Sequence, residues 1–316
     1  MVAPEVLTIG RVSVDLYADE PGAAFTDPQH FSKSIGGTAT NVAVAAARLG
    51  HRAAVLTKVG ADPFGDYVVA KLESFGVDTR FVGRHARLRT PLAFAALTPP
   101  EDPELLFYRE PSAPDMQLEI GDVDDDTIRD VDVLWLAGSA LADDPARHTI
   151  VEITRTRALR RHTVLDLDYR APLWTSEREA SAVIGRALVI ATVVLGNRAE
   201  CRVAVGTDDP DDAATAILEH DQIELAVVKM GGDGVLVATR DGRTVVPPRP
   251  VKVVCGLGAG DAFGGALVHG LLLGWPPVRT VEFANAAGAI VAGRLLCADA
   301  MPTLDEITAV IEGGTP

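Results

Sequence analysis

A glycine-rich turn that ends in an acid is the segment of this chain best suited to chemistry. Gly258, Ala259 and Gly260 precede Asp261, and a helical pattern begins with the next residue. Small residues let backbone N–H groups converge on an anion, and the N-terminus of the following helix adds a partial positive charge. The turn can therefore hold a phosphoryl group in transit, and Asp261 lies where negative charge is tolerated. Taken alone, it also fits a flexible turn in which Asp261 caps the helix.

Two common nucleotide-binding motifs do not fit this turn. A dinucleotide-binding fingerprint would need its last glycine at Asp261 or at Phe263, depending on the register. No glycine-lysine pair of the P-loop type occurs anywhere in the chain. Hydride transfer and P-loop chemistry therefore lose support.

Asn197 and Glu200 form a second candidate element. A carboxylate one helical turn after the asparagine could place hydrated Mg²⁺ beside nucleotide phosphates. The same spacing is typical of a capping box at the start of a helix. The spacing alone favours the capping box.

Lys229 ends an apolar run at residues 225–228 and precedes Gly231. At the carboxyl end of a parallel strand it would lie in the ligand crevice of an α/β fold, whereas a solvated surface lysine is the alternative. Asn285 falls in an Ala-rich helical pattern and suits either a nucleotide contact or helix packing.

Asp15 and Asn41 follow the first apolar run, and their side chains are suited to binding hydroxyl groups. Carboxylate and amide side chains form hydrogen bonds in fixed directions, so that a ligand lacking the hydroxyl would leave them unpaired. Asp15 could instead be a turn residue.

Arg109 and Arg170 are cations placed near the predicted crevice. A guanidinium group forms bidentate bonds to a carboxylate, so this pair suits a sugar acid better than a neutral sugar. Surface ion pairs with Glu110 or Asp168 are the alternative.

Between Gly10 and Pro302 the chain resembles the ribokinase-like (PfkB) family of carbohydrate kinases. Two signatures carry the resemblance in the family's order. The amino-terminal signature is Gly36-Gly37-Thr38-Ala39-Thr40-Asn41, followed by Gly60-Ala61-Asp62-Pro63-Phe64-Gly65. The carboxyl-terminal signature is Gly258-Ala259-Gly260-Asp261.

The resemblance implies ATP-dependent phosphoryl transfer to a sugar hydroxyl, with Asp261 as general base beside an anion hole of backbone N–H groups. The anion hole would comprise Gly258, Ala259 and Gly260. The sugar would be bound by Asp15, Gly36, Gly37 and Asn41, the nucleotide by Asn197, Lys229, Gly231, Gly258, Gly260 and Asn285, and Mg²⁺ would be placed by Glu200.

The choice of acceptor rests on residues 107–110 and 166–174, which look like those of the family's sugar-acid branch. The resemblance implies that Arg109, and in one interpretation Arg170, binds the acceptor's carboxylate; Arg170 could instead contact nucleotide phosphates. Kinases of other sugar acids, kinases of neutral sugars such as ribose or fructose, and a non-catalytic sugar- or nucleotide-binding regulator are the alternatives. Activation by K⁺ is left open, because Cys255-Gly256 replaces the family's common aspartate-threonine pair.

The elements that must position these residues form a repeated βα pattern. Apolar runs at 6–9, 53–59, 133–137, 164–167, 193–195 and 225–228 alternate with helical patterns at 41–49, 64–75, 145–161, 177–188 and 211–219, before two longer ones at 262–273 and 278–296. This rhythm predicts one α/β domain over residues 1–316, with a doubly wound, mostly parallel sheet flanked by helices. A strand-like run at 253–254 precedes the glycine turn.

Two regions break the βα rhythm, residues 11–35 and 87–118. Their short alternating patterns predict a small β lid over the crevice, with ordinary surface hairpins as the alternative. Whether the lids of two subunits pair is left open, with a homodimer through the lid as the expectation.

Composition limits the partners and the location. The 29 basic and 44 acidic residues give a net charge of −15, which opposes binding to nucleic acid or to an anionic membrane surface. No apolar stretch is long enough for a membrane span. Three distant cysteines, Cys201, Cys255 and Cys297, fit neither a zinc site nor a disulfide framework. We therefore expect a cytoplasmic protein whose ligands are small molecules.

Overall fold

The computed structural model of the protein describes residues 3–20, 22, 24–97, 99–100 and 103–314. The strands in these ranges are β1 Val6–Ile9, β2 Ser13–Ala18, β3 Phe31–Gly36, β4 Ala53–Gly60, β5 Val82–His85, β6 Leu92–Ala96, β7 Glu104–Tyr108, β8 Val133–Ala137, β9 His162–Asp166, β10 Val193–Asn197, β11 Leu225–Lys229, β12 Val235–Thr239 and β13 Gly242–Val246. The α-helices are α1 Thr38–Arg48, α2 Pro63–Ser74, α3 Asp125–Asp130, α4 Ala146–Arg157, α5 Glu177–Ala187, α6 Arg198–Val205, α7 Pro210–Leu218, α8 Ala259–Leu272, α9 Pro277–Ala292 and α10 Leu304–Ile311.

The main sheet confirms the predicted α/β class. Its nine strands lie in the order β13-β12-β11-β10-β9-β8-β1-β4-β5, and the strands from β11 to β5 are parallel. The hairpin of β12 and β13 continues the sheet in antiparallel pairing. Parallel strands covered by helices on both faces read as continuous apolar runs, which is why the central strands were recognisable.

Strand β8 shows how the sheet separates two cores. Val133 and Trp135 belong to the core that also contains residues of α1, α8 and α9. Leu134 and Leu136 belong to the core on the other face, formed with residues of α4 to α7. Successive side chains of a strand point to opposite faces, so this one strand serves both cores.

A second sheet forms over the carboxyl ends of the main strands, in the order β3-β2-β6-β7. Strands β2 and β6 are parallel, and the two outer pairs are antiparallel. We call this four-stranded sheet the lid. Of the two segments predicted for it, positions 21, 23, 98, 101 and 102 lie outside the described residues.

Several predicted boundaries were wrong. Helix α4 ends at Arg157 rather than at residue 161, because Ala158, Leu159 and Arg161 adopt left-handed backbone conformations. Helix α9 ends at Ala292. The run at 253–254 is not a strand, since the Val254 N–H donates to the Ala292 carbonyl at the end of α9 instead of to a neighbouring strand.

Within the described ranges, no helix is long and apolar enough to cross a lipid bilayer.

Candidate active site

The glycine turn forms the N-terminus of α8. Gly258 has φ 80, and a Cβ atom there would lie 2.8 Å from Cys297 Sγ, so only glycine fits without strain. The first intrahelical bond runs from the Ala262 N–H to the Gly258 carbonyl at 2.9 Å. The N–H groups of the preceding residues therefore have no partner within the helix. They form the kind of concave donor group that binds an anion.

Asp261 is placed and tuned by its neighbours. Asn41 Nδ2, on α1, donates to Asp261 Oδ2 at 2.7 Å. Burial raises the pKa of Asp261 to about 6, while the Asn41 hydrogen bond and the charges of Arg170 and Lys229 oppose the rise. Such a carboxylate is ionised at neutral pH and is a stronger base than a surface aspartate.

The turn is the wall between two cavities. Gly258 and Asp261 face a small cavity of about 60 Å³ under the lid. Ala259 and Gly260 face a larger cavity of about 670 Å³, within the range of small-molecule sites. We call these the acceptor cavity and the donor cavity. A group passing from one to the other would cross the N-terminus of α8.

The structure sorts the predicted site residues into three groups. The acceptor cavity is lined by Asp15, Gly37, Asn41, Arg170, Gly258 and Asp261. The donor cavity is lined by Lys229, Gly231, Ala259, Gly260 and Asn285. Neither cavity is lined by Gly36, Arg109, Asn197 or Glu200.

Asp15 lies on β2 rather than in a turn, and two hydroxyl groups hold it. Ser13 Oγ donates to Asp15 Oδ1 at 2.6 Å. The Tyr17 hydroxyl lies 3.2 Å from Asp15 Oδ2 and 2.8 Å from Cys297 Sγ. A hydroxyl has one proton, and a carboxylate is the stronger acceptor, so Tyr17 donates to Asp15. Burial raises the pKa of Asp15.

The glycines at 36 and 37 are required by close contacts. A Cβ atom at Gly36 would lie 1.9 Å from Asp15 Oδ2, so this glycine makes room for the acid although it does not line the cavity. Gly37 has φ 100, and a Cβ atom there would lie 2.3 Å from the Arg11 carbonyl oxygen. Gly37 also precedes α1 and thereby fixes the start of the helix that carries Asn41.

The two predicted arginines have different surroundings. Arg170 lines the acceptor cavity, and its Nε lies 3.0 Å from Asp168 Oδ1. Arg109 points to Asp115, with 2.5 Å between Nη2 and Oδ1, rather than into the cavity. Asp115 also accepts the Val12 N–H at 2.8 Å, so the Arg109 pair ties the lid to the loop after β1.

Asn197 and Glu200 form the capping box that their spacing allowed. Asn197 Oδ1 accepts the Glu200 N–H at 2.9 Å, and Glu200 Oε2 accepts the Asn197 N–H at 2.7 Å. The capping role does not exclude a metal role, because it uses one Glu200 oxygen and fixes the direction of the other. Glu200 is buried, and it lies close enough to Lys229 and Asp166 to influence the pKa of each.

Lys229 lies beside the glycine turn. A Cβ atom at Gly260 would be 3.5 Å from Lys229 Nζ. Burial lowers the pKa of Lys229, but Asp166, Glu200 and Asp261 outweigh it and raise the pKa overall. The ammonium group is therefore charged at neutral pH, between the donor cavity and the N-terminus of α8.

Asn285 and Gly231 occupy the donor cavity in different ways. Asn285 Nδ2 donates to the Pro247 carbonyl oxygen at 2.8 Å, which holds α9 against the loop after β13. Gly231 follows β11 and has φ 60. Both positions are consistent with the predicted nucleotide contacts.

Sequence reasoning missed two buried residues of this site. Asp166 ends β9, its Oδ1 is buried without a hydrogen bond to any described group, and burial raises its pKa well above the ordinary value. Arg11 follows β1 and lines the acceptor cavity. Both lie at the carboxyl ends of parallel strands, which was the signal that could have identified them.

Comparisons with known proteins agree with this architecture. The sequence matches the pfkB family carbohydrate kinases over residues 3–304. It is 33% identical over 317 residues to the 5-dehydro-2-deoxygluconokinase of Geobacillus thermodenitrificans (strain NG80-2), covering 98% of this chain and 93% of that protein.

Solved structures of sugar kinases share the fold. The fructokinase from Xylella fastidiosa with bound ATP superposes with a TM-score of 0.86 at 25% identity, covering 98% of each chain. A double mutant of the fructokinase from Vibrio cholerae O395, with fructose, ADP and potassium ion bound, gives 0.85 at 28% identity, covering 98% of this chain and 99% of that chain.

The nine-stranded sheet, the lid and the glycine turn define a ribokinase-like sugar kinase fold. The chain belongs to the pfkB family of carbohydrate kinases. It is a phosphotransferase that uses ATP as the phosphoryl donor and an alcohol group as the acceptor.

Proposed function

We propose that the enzyme transfers the γ-phosphoryl group of ATP to the 6-hydroxyl of 5-dehydro-2-deoxy-D-gluconate, a sugar acid of inositol breakdown. The observation that carries the choice of acceptor is the similarity, over nearly the whole chain, to kinases of that name. The guanidinium groups that line the acceptor cavity support an acceptor with a carboxylate.

The proposed chemistry follows from the turn between the cavities. Asp261 accepts the proton of the acceptor hydroxyl, and Asn41 fixes the direction of its carboxylate. The freed oxygen attacks the γ-phosphorus, and the bond to the β-phosphate oxygen breaks. The N–H groups of Gly258, Ala259 and Gly260 stabilise the charge on the transferring group.

Lys229 and Arg170 flank this path as cations. Lys229 lies on the donor side and Arg170 on the acceptor side of the turn. We propose that Lys229, Gly231 and Asn285 contact the nucleotide. Positioning and charge stabilisation supply most of the catalysis in phosphoryl transfer, so these contacts bear directly on rate.

A magnesium ion fits the acids near Lys229. Among the described residues no group of three or more His, Cys, Asp or Glu could hold a metal alone. Mg²⁺ normally uses one or two carboxylates together with water and substrate phosphates. The unpaired, buried Asp166 Oδ1 and the second Glu200 oxygen would be two such ligands. When bound with ATP, Mg²⁺ would neutralise phosphate charge.

The test is a panel of purified acceptors with ATP and Mg²⁺, measured by coupled ADP release. We expect the highest kcat/KM for 5-dehydro-2-deoxygluconate. Turnover with 2-keto-3-deoxygluconate and none with the inositol-derived acid would contradict the specific assignment. Preference for ribose or fructose would contradict an acidic acceptor, and no turnover with any acceptor would favour a binding regulator.

Rates in K⁺ and in Na⁺ belong to the same panel. Cys255, at the position that departs from the family pattern, is fully buried. A K⁺-specific increase in rate would show that a cation site persists despite this residue.

The proposal includes a homodimer formed through the lid and a cytoplasmic location. The outer face of the lid edge exposes Leu106 and Tyr108, which supports pairing with a second copy. Three free, buried cysteines and the use of ATP are consistent with a reducing compartment.

A further inference from the structure

Arg11 is a buried cation on the wall of the acceptor cavity, and no sequence motif assigns it a role. Its side chain is 5% exposed. Nε donates to Ser139 Oγ at 2.7 Å, and Nη2 donates to Asp168 Oδ2 at 3.3 Å and to Thr38 Oγ1 at 3.5 Å. Among the described residues, Nη1 has no hydrogen-bond partner. The guanidinium group is therefore held on one side and free on the other.

Within the described ranges, Arg11 has no carboxylate partner of its own. Arg109 is paired with Asp115. Arg11 and Arg170 share a single carboxylate, that of Asp168. Arg11 therefore keeps hydrogen-bonding capacity for a further anion.

The other acids that line the cavity are not ion-pair partners of Arg11 among the described residues. Asp15 accepts from Ser13 and Tyr17, and Asp261 accepts from Asn41. Both acids would repel a carboxylate on the acceptor. They therefore suit the hydroxyl groups of the acceptor instead.

Arg170 lines the acceptor cavity as well, and its Nε lies 3.0 Å from Asp168 Oδ1. Its pKa is raised mainly by Asp168, and then by Glu200 and Asp261. A cation that acts on Asp261 is close enough to the turn to stabilise phosphate oxygens of the transferring group.

Arg11 lies between β1 and the lid strand β2, and it lines the cavity together with the lid residues Leu105 and Phe107. Burial lowers its pKa and Asp168 opposes this, while Arg109 and Asp115 are among the other charges that act on it. Bringing an anion to a buried guanidinium group recovers part of the desolvation cost of that cation.

We propose that Arg11 is the residue that selects an acidic acceptor over a neutral one, by donating from Nη1 to the carboxylate of the sugar acid, a role that rests on the proposed function. Asp168 and Ser139 are positioning residues, because they hold the guanidinium plane. Asp168 is 2% exposed and has φ 32, a strained conformation for a non-glycine residue that persists where the surrounding contacts fix it. A guanidinium held in this way loses little side-chain freedom on binding.

The experiment compares an acid acceptor with a matched neutral one. The acid is 5-dehydro-2-deoxygluconate, and its counterpart has a hydroxymethyl group in place of the carboxylate. For Arg11→Met we expect KM for the acid to rise about 10- to 100-fold, the loss expected for a charge-assisted bond. We expect kcat/KM for the neutral counterpart to change less than about threefold. Equal losses for both acceptors would overturn the proposal, because they would indicate a purely structural role.

Two further variants keep the test decisive if Arg11→Met fails to fold. Arg11→Lys keeps the charge beside Asp168 but lacks the free Nη1, so we expect a smaller loss that is still confined to the acid. Ser139→Ala removes the hydrogen-bond acceptor of Arg11 Nε without removing charge. We expect its loss of activity to be confined to the acid acceptor as well. Loss of discrimination in Arg109→Met, with none in the Arg11 variants, would assign the carboxylate to Arg109 and overturn the proposal.

The unmodified enzyme separates this proposal from the proposed function. If it prefers the acid and Arg11→Lys does not change that preference, the role of Arg11 is wrong while the function stands. If it prefers neutral sugars, the function itself is wrong and Arg11 has no carboxylate to select.

Discussion

Asp261 combines a catalytic position with an energetic cost. Its ionised carboxylate lies among groups that were expected to bind phosphate and sugar, and burial raises its pKa to about 6. An acid whose pKa is higher in the folded than in the unfolded state stabilises the fold when protonated. That contribution is complete below the unfolded pKa near 4 and is lost as the pH rises through 6.

Asp261→Asn should therefore separate activity from stability. The amide keeps the shape and can still accept from Asn41, but it cannot take a proton, so we expect turnover to fall at least about 10³-fold with ATP binding retained. At pH 7.5 the variant should be more stable by about 1–2 kcal/mol, and this gain should disappear near pH 4. Coupled assays, ATP titration and thermal unfolding at both pH values measure the three effects. Turnover within tenfold of the unmodified enzyme would remove Asp261 from the mechanism.

The pH dependence of the rate gives a second test of the same carboxylate. Because the base must be ionised, kcat/KM for the acceptor should fall about tenfold for each pH unit below 6. The Asn41 hydrogen bond favours the ionised form, so Asn41→Ala should move the midpoint to a higher pH. A midpoint near 4, or one that does not move in Asn41→Ala, would show that another group controls the profile.

At the scale of elements, the central strands could be predicted and the edges could not. Strands β1, β8 and β11 are buried apolar runs, which a periodicity argument recognises. Strand β13 is exposed along residues 242–245 and pairs only with β12, so its polar sequence carries no such signal. Its place depends on a neighbouring strand rather than on its own residues.

The site residues that could be predicted were those in local motifs, and the ones that were missed depend on long-range contacts. The glycine turn and Asn197 with Glu200 are local motifs, so their geometry was accessible from the sequence. Arg11 and Asp168 lie 157 positions apart and meet only because β1 and β9 both flank β8. No spacing rule identifies such a pair, so the sequence pointed only to Arg109 and Arg170 for the carboxylate.

The close backbone contact at Gly37, at the start of α1, can be tested by substitution, with Gly50 as a matched control. Both have left-handed φ angles, 100 and 89, but a Cβ atom at Gly50 meets nothing within 4 Å. Gly50→Ala should cost about 1–2 kcal/mol of stability from backbone strain alone and leave KM unchanged. Gly37→Ala should cost more and raise the acceptor KM at least tenfold, because its methyl group displaces the Arg11 backbone. Chemical denaturation and kinetics measure both, and equal effects in the two variants would exclude the predicted contact.

At the scale of the molecule, the lid packs against the core beside the acceptor cavity. Contacts between the lid and the core hold it there. Ser34 Oγ on β3 donates to Asp299 Oδ2 at 2.7 Å, and Lys71 of α2 pairs with the same acid at 2.5 Å. Any movement of the lid would have to break these contacts.

The free edge of the lid is the surface on which the assembly can be tested. Leu106 and Tyr108, on edge strand β7, are 42% and 60% exposed and point away from the acceptor cavity. An exposed apolar edge strand favours pairing with another chain, and we expect light scattering to give twice the chain mass of 33.3 kDa at micromolar concentration. Leu106→Lys with Tyr108→Lys should reduce this to one chain, because like charges would oppose each other at the edge. Val189→Lys, at a residue 57% exposed outside the lid, should leave the mass unchanged. If the unmodified enzyme is monomeric, the edge of the lid is not an interface between two copies of the chain.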